Sequence, residues 1–144
     1  MSKIIIEKEE FPDEKANIEY VEKFNFAKHL EKLKRKLKNK TVVIYGAGVF
    51  FQAIKKHYDL NSINIIGVSD KKFEEHEENQ EWQGYRVYAP SELRELSPDY
   101  VIVATKMYIN IIEELYYSTL KGSKIKIKPL LKKNFKTLLK EIWN

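Results

Sequence analysis

The sequence predicts an α/β protein: a three-layer, doubly wound parallel sheet of about five strands in the order 3-2-1-4-5, with an N-terminal helical extension. Three observations predict it. Thr41 to Tyr45 reads TVVIY, a continuous run with no alternation, which suits a strand buried on both faces of a parallel sheet. From there on, strand-like and helix-like stretches alternate, the pattern of right-handed βαβ units. The first strand also passes directly into a helix through Gly46-Ala47-Gly48.

The elements follow in order. Residues 1–13 form an arm with a short apolar run, Ile4-Ile5-Ile6, closed by Pro12. A helix is expected over about 14–39, because Phe26, Leu30, Leu33 and Leu37 recur at steps of four, three and four and so share one face. Lys32, Lys34, Arg35, Lys36 and Lys38 cover the other face, where cations suit a helix C-terminus. After TVVIY comes the helix VFFQAIKKHYDL, then a second buried strand, INIIGVSD, ending at Asp70. The acidic stretch KKFEEHEENQEWQ reads as a loop, and GYRVYAP as a short third strand. SELREL opens a helix with Ser91 as its N-cap after Pro90. PDYVIVAT is the fourth strand, and MYINIIEELYYSTLKG is a helix closed by Gly122. KIKIKPL alternates with period two, as a sheet-edge strand does. The last helix, LLKKNFKTLLKEIW, carries an apolar stripe of Leu131, Phe135, Leu138, Leu139 and Ile142.

Composition narrows the functions. The 144 residues suit one domain, divided here into the arm and basic helix, 1–39, and the nucleotide-binding unit, 40–144. No apolar run approaches the roughly 18 residues of a membrane span, and the N-terminus lacks the apolar core of a signal peptide. With no cysteine there are no disulfides, cysteine zinc sites or thiol nucleophiles, so a cytoplasmic location is the default. The net charge of +5 comes from 23 lysines and only 3 arginines against 21 acids. That lysine bias argues for a solvated surface and against nucleic acid as the partner, since base edges are read mainly by arginine. The histidines His29, His57 and His76 lie in three different elements without metal-ligand spacing. No metal is expected.

In a doubly wound sheet, ligands bind beyond the carboxyl ends of the strands, where the strand order reverses. That point falls between the first and fourth strands, and it gathers Gly46, Ala47, Gly48, Val49, Phe50, Ala104, Thr105 and Lys106. The first glycine permits the tight turn, the second lets a pyrophosphate approach the backbone, and the helix N-terminus supplies free N–H groups. Phe51 stands where a third glycine would let helix and strand pack closely. Its ring either pushes the helix away or enters the core. Asp70, 24 residues after Gly46, stands where a carboxylate would accept from an adenosine ribose, which favours NAD over a 2′-phosphorylated ligand. Lys71 and Lys72 follow it directly and weaken that preference. Tyr117 and Lys121 have the Y-x-x-x-K spacing of a tyrosine activated by a lysine, but with nine tyrosines and 23 lysines such a pair arises by chance. Tyr45, Lys106 and Tyr108 are the nearest acid–base candidates, and no catalytic residue is assigned.

Taken together, VVIYGAG, INIIGVSD, GYRVYAPSEL and DYVIVATKMYINIIEEL resemble the Rossmann-like domain of bacterial surface-polysaccharide enzymes. The run is similar to the first domain of capsule-type nucleotide-sugar dehydratases and epimerases, and to the N-terminal domain of sugar O-acyltransferases. The resemblance implies a site for NAD or a nucleotide-sugar at Gly46–Gly48, with Asp70 on a ribose. It also implies that a second unit carries catalysis, so a homodimer or a partner enzyme would complete any active site. Phe51 departs from the small residue most members have there.

Overall fold

The computed structural model describes residues 13–133. Two helices open it: α1, Glu14–Glu22, and α2, Phe26–Lys36. The Asp13 carboxylate caps α1 by accepting from the Ala16 N–H at 2.7 Å. The single helix expected over 14–39 is therefore broken. Asn25 turns the chain with a left-handed φ of 54°, a conformation asparagine tolerates better than most residues. The break lets α1 lie against the later helix Val49–His57. Glu14 reaches Lys56 and His57 there at 3.2 and 3.0 Å. The apolar face read for α2 is real: Phe26, Leu30, Leu33 and Leu37 are all buried.

β1, Thr41–Tyr45, leads through the glycine turn into α3, Val49–His57. β2, Asn64–Ser69, ends in a short 3₁₀ turn, Lys71–Phe73. A hairpin follows: β3, Glu81–Trp82, antiparallel to β4, Tyr85–Tyr88. A second 3₁₀ turn, Pro90–Glu92, enters α4, Leu93–Leu96. β5, Tyr100–Val103, is followed by α5, Ile109–Glu114, whose last turn widens into a π-helical segment, Leu115–Thr119. β6, Lys126–Pro129, forms one edge of the sheet.

The sheet order is β3-β4-β2-β1-β5-β6, parallel except for the β3–β4 pair. The five strands expected from sequence thus take the order expected of them. The sixth, β3, lies inside the stretch read as an acidic loop. Ser91 is not a cap: it lies inside the second 3₁₀ turn, whose N-cap is Ala89, and the Glu92 carboxylate accepts the Ala89 N–H at 2.7 Å. Residues 130–133, the start of the expected last helix, are not helical, because the chain is still leaving β6; the rest of that helix, 134–143, and residues 1–12 of the arm lie outside the described residues.

Two apolar cores sandwich the sheet. On one face α1, α2 and α3 bury Val21, Phe26, Leu30, Phe51 and Ile54 against Val42, Ile44, Val68 and Ile102. On the other, Leu93, Tyr108, Leu115 and Leu120 cover Val43, Tyr45, Val101 and Val103. This is the three-layer architecture expected from the sequence. A reciprocal pair fastens the amino ends of β1 and β5: the Thr41 N–H donates to the Asp99 carboxylate at 2.8 Å, and the Asp99 N–H donates to the Thr41 hydroxyl at 2.9 Å.

Candidate functional site

The glycine turn sits where the carboxyl ends of β1, β2 and β5 meet. The Gly46 N–H donates to the Ser69 carbonyl at 2.8 Å, and the Ala104 N–H donates to the Tyr45 carbonyl at 2.8 Å. The switch point therefore falls between β1 and β5, at the residues named from sequence. Ala47 and Ala104 are buried, Phe50 nearly so, while Gly48 and Val49 face solvent.

The two glycines are required for different reasons. Gly46 has a φ of +121°, and a Cβ there would come within 2.9 Å of the Ala104 carbonyl oxygen and 3.1 Å of the Thr105 Cγ2. Both the backbone shape and the close approach of β5 demand glycine. Gly48, the N-cap of α3, has extended dihedrals of −132° and −170°, and its Cβ would meet nothing within 4 Å. The protein's own packing does not require glycine at this second position. It leaves open backbone at the N-terminus of a nine-residue helix, where unpaired N–H groups and the helix dipole favour an anion.

Asp70 reaches the turn directly. One carboxylate oxygen accepts the Ala47 N–H at 2.8 Å, and the other accepts the Lys72 N–H at 3.1 Å. The Lys72 ammonium in turn donates to the Ala47 carbonyl. The same ammonium lies over the Phe73 and Trp82 rings, 5.5 and 5.7 Å from their centroids. Both polar groups of Ala47 are thus held by side chains of one short segment. Lys71 turns the other way and pairs with Glu114 at the end of α5 at 3.0 Å. Lys106, half-buried, follows Thr105 at the end of β5.

Phe51 is fully buried and enters the core rather than holding the helix off the sheet. Its ring stacks on Trp82 at 6.1 Å and lies 6.3 Å from Tyr85. The β3–β4 hairpin supplies both partners, so a helix without the third glycine still packs.

The hydroxyls here differ in what they can do. The Ser69 and Thr105 side-chain oxygens are buried and have no hydrogen-bond partner among the described residues. Tyr45 is buried, and desolvation, reinforced by Asp70, Glu114 and Glu74, raises its pKa to about 12. At neutral pH it is a phenol that holds its proton. Tyr108 is also buried, and its hydroxyl accepts the Lys133 N–H at 3.1 Å. Tyr117 is two-thirds exposed at the far end of its helix, stacked edge-to-face with Tyr116. Among the described residues no group of three or more His, Cys, Asp or Glu could hold a metal ion, and no helix is long and apolar enough to cross a membrane.

Sequence reasoning placed Gly46, Ala47, Gly48, Val49, Phe50, Asp70, Lys71, Ala104, Thr105 and Lys106 at one point; the structure brings the turn, Asp70, Ala104 and Thr105 together, while the Lys71 side chain turns away to Glu114. It missed the Lys72 contact. A lysine beside the acid at a strand end was the available signal, but nothing in the spacing shows that its side chain turns back onto the glycine turn.

The fold and the turn define a Rossmann-like α/β domain. Within that class, residues 38–127 match the family described as C2185-like, N-terminal, and the chain belongs to it. This is not a polysaccharide-enzyme family. No curated protein matches the sequence. Among solved structures, the chain is similar to a chorismate mutase/shikimate 5-dehydrogenase fusion protein from Clostridium acetobutylicum, with 18% identity and a TM-score of 0.39. That alignment covers 82% of this chain and 57% of the other, so the chain spans little more than half of that protein's length.

Proposed function

We propose that this domain binds a nucleotide whose phosphate sits on the backbone of Gly48 and the first turn of α3. The carrying observation is Gly48: its missing side chain relieves no contact inside the protein, and it faces open space at a helix N-terminus. NAD and nucleotide-sugars are the ligands to test first. The carboxylate at the end of β2 fits a ribose partner and supports that choice. In this reading Asp70 has two duties: it shapes the turn through Ala47 and offers its remaining lone pairs to a ribose. Thr105 and Lys106 line the opposite edge and suit a ribose hydroxyl or a phosphate.

The test is titration of the purified chain with NAD, NADP, coenzyme A, S-adenosylmethionine and UDP-sugars, followed by native mass spectrometry and calorimetry. Binding of NAD or a UDP-sugar that is lost in Gly48→Val supports the site. Binding that survives this change moves the ligand elsewhere, and failure of every ligand below millimolar concentration ends the proposal.

One observation favours a second reading, a domain that keeps the turn for architecture. The Ala47 N–H and carbonyl are both taken by the protein's own Asp70 and Lys72, so the turn stands without a ligand. A third reading, a small oxidoreductase or epimerase acting on nucleotide-sugars, needs an acid or base poised near neutrality. Tyr45, with its pKa near 12, does not supply one.

A further inference from the structure

The segment 74–80 is held in an unusual way. His76 presents both ring nitrogens to acceptors: Nδ1 lies 2.8 Å from the Glu77 carbonyl oxygen, and Nε2 meets the Glu92 carboxylate. A neutral imidazole has one N–H to donate, so only the imidazolium satisfies both. The same Glu92 oxygen accepts the Ala89 N–H at 2.7 Å. One carboxylate therefore ties this segment to the turn that opens α4.

The segment is anchored at both ends. Phe73 is buried in the core before it, and the Val87 N–H donates to the Gln80 carbonyl at 3.1 Å after it. Between the anchors the chain closes on itself: the Gln80 N–H donates to the Glu77 carbonyl, and the Glu77 N–H to the Gln80 side chain. Asn79 takes a left-handed φ of 62° at the bend. A crevice of about 410 Å³ separates this segment from the entrance to α4. Glu74, His76, Glu78, Arg86, Ser91 and Glu92 line it.

We propose that His76 is a proton-operated clasp: charged, it holds the 74–80 segment against the entrance of α4 and keeps the crevice narrow; neutral, it lets that segment swing between Phe73 and Gln80.

The charges around the ring support the direction. Bonding to the Glu77 carbonyl and to the Glu92 carboxylate raises the His76 pKa above its usual 6.5, while Arg86 on β4 opposes the rise. Glu92 is held below the usual carboxylate range by the Ala89 N–H and by His76. Glu74 and Glu78 line the same crevice and are the other acidic groups that face it. For the histidine, the clasp is complete below 6.5 and is lost as pH rises through its higher folded value. For the glutamate, it is complete above 4.5 and is lost as pH falls through its lower folded value. The clasp is thus closed in weak acid and opens as pH rises through the histidine's raised folded value. The buried Phe73 separates it from the Asp70–Lys72 contacts on the glycine turn, so the proposal does not depend on nucleotide binding.

The test is an NMR titration of the ligand-free chain from about pH 5 to about pH 9, which brackets the histidine range. The His76 ring should titrate above 6.5. The Glu74–Gln80 and Ala89 amides should shift with the same midpoint, and the Gly46–Gly48 amides should not. Glu92→Gln keeps an acceptor for Ala89 but removes the charge, so it should lower both midpoints together. His76→Gln should leave the 74–80 amides independent of pH. A ring that titrates at or below 6.5 overturns the proposal. So do segment amides that ignore the ring, or a midpoint that Glu92→Gln does not move.

Discussion

Replacing each glycine of the turn by alanine separates architecture from site. In Gly46→Ala the residue must hold a φ of +121°, and its new methyl group lies 2.9 Å from the Ala104 main-chain oxygen, which cannot rotate away. The dihedral costs roughly 1–3 kcal/mol. Overpacking against β5 costs about 1–3 kcal/mol more. The total of about 2–6 kcal/mol is a large share of the roughly 5–15 kcal/mol that holds a domain together. At roughly 4 °C per kcal/mol for a chain of this size, the midpoint should fall by about 8–24 °C. In Gly48→Ala the φ of −132° is open to any residue, and the methyl group meets nothing. Stiffening the unfolded chain contributes about 0.4–1 kcal/mol, and the poorer N-cap offsets a similar amount. The midpoint should stay within about 2 °C of the parent. Urea and thermal unfolding of the three proteins, followed by circular dichroism, measure both. Equal losses for the two variants, or an unaffected Gly46→Ala, would refute the assignment of one glycine to the fold and the other to the surface.

Three further outcomes are expected. Asp70→Ala leaves the part-buried Ala47 N–H without its carboxylate, and should cost about 1–3 kcal/mol in urea unfolding, with faster hydrogen exchange at Ala47. Phe51→Ala empties the space beside Trp82 and Tyr85 and should cost about 3–5 kcal/mol, whereas Phe51→Leu should cost much less. Tyr45 should resist ionisation: ultraviolet titration should find a phenol with a midpoint near 12 that is missing from Tyr45→Phe. Because the folded value lies above the unfolded value of 10, its contribution to stability is complete below pH 10 and is lost as pH rises toward 12.

How far the sequence could be read follows from what carries the signal. TVVIY, INIIGVSD and PDYVIVAT announce themselves because a strand covered on both faces must be apolar throughout, and handedness then orders the sheet. The turn was legible because only glycine serves at Gly46. The break at Asn25 was not, because the apolar stripe from Phe26 to Leu37 is compatible with a continuous helix upstream, and asparagine is only moderately disfavoured in helices. β3 has two residues, one of them exposed, in an acidic stretch, and its pairing with Tyr85 and Arg86 leaves no periodicity to detect. The place of Phe51 depended on that hidden hairpin, because Trp82 and Tyr85 form its pocket wall. Lys72 and His76 were unreadable for a related reason: each acts through a partner distant in the sequence, Ala47 for one and Glu92 for the other.

The order of the strands also has a consequence for synthesis. β1 is central in the sheet yet first in the chain, and β5, its neighbour on one side, begins 59 residues after it, at Tyr100. At about 5–20 residues per second, the ribosome needs roughly 3–12 s to make that partner. For that interval one edge of Thr41–Tyr45, the most uniformly apolar strand of the fold's first half, has no neighbour. The lysines that follow α2 and the early burial offered by Phe26, Leu30, Leu33 and Leu37 on one face are what the emerging chain has to keep that edge from pairing with another copy.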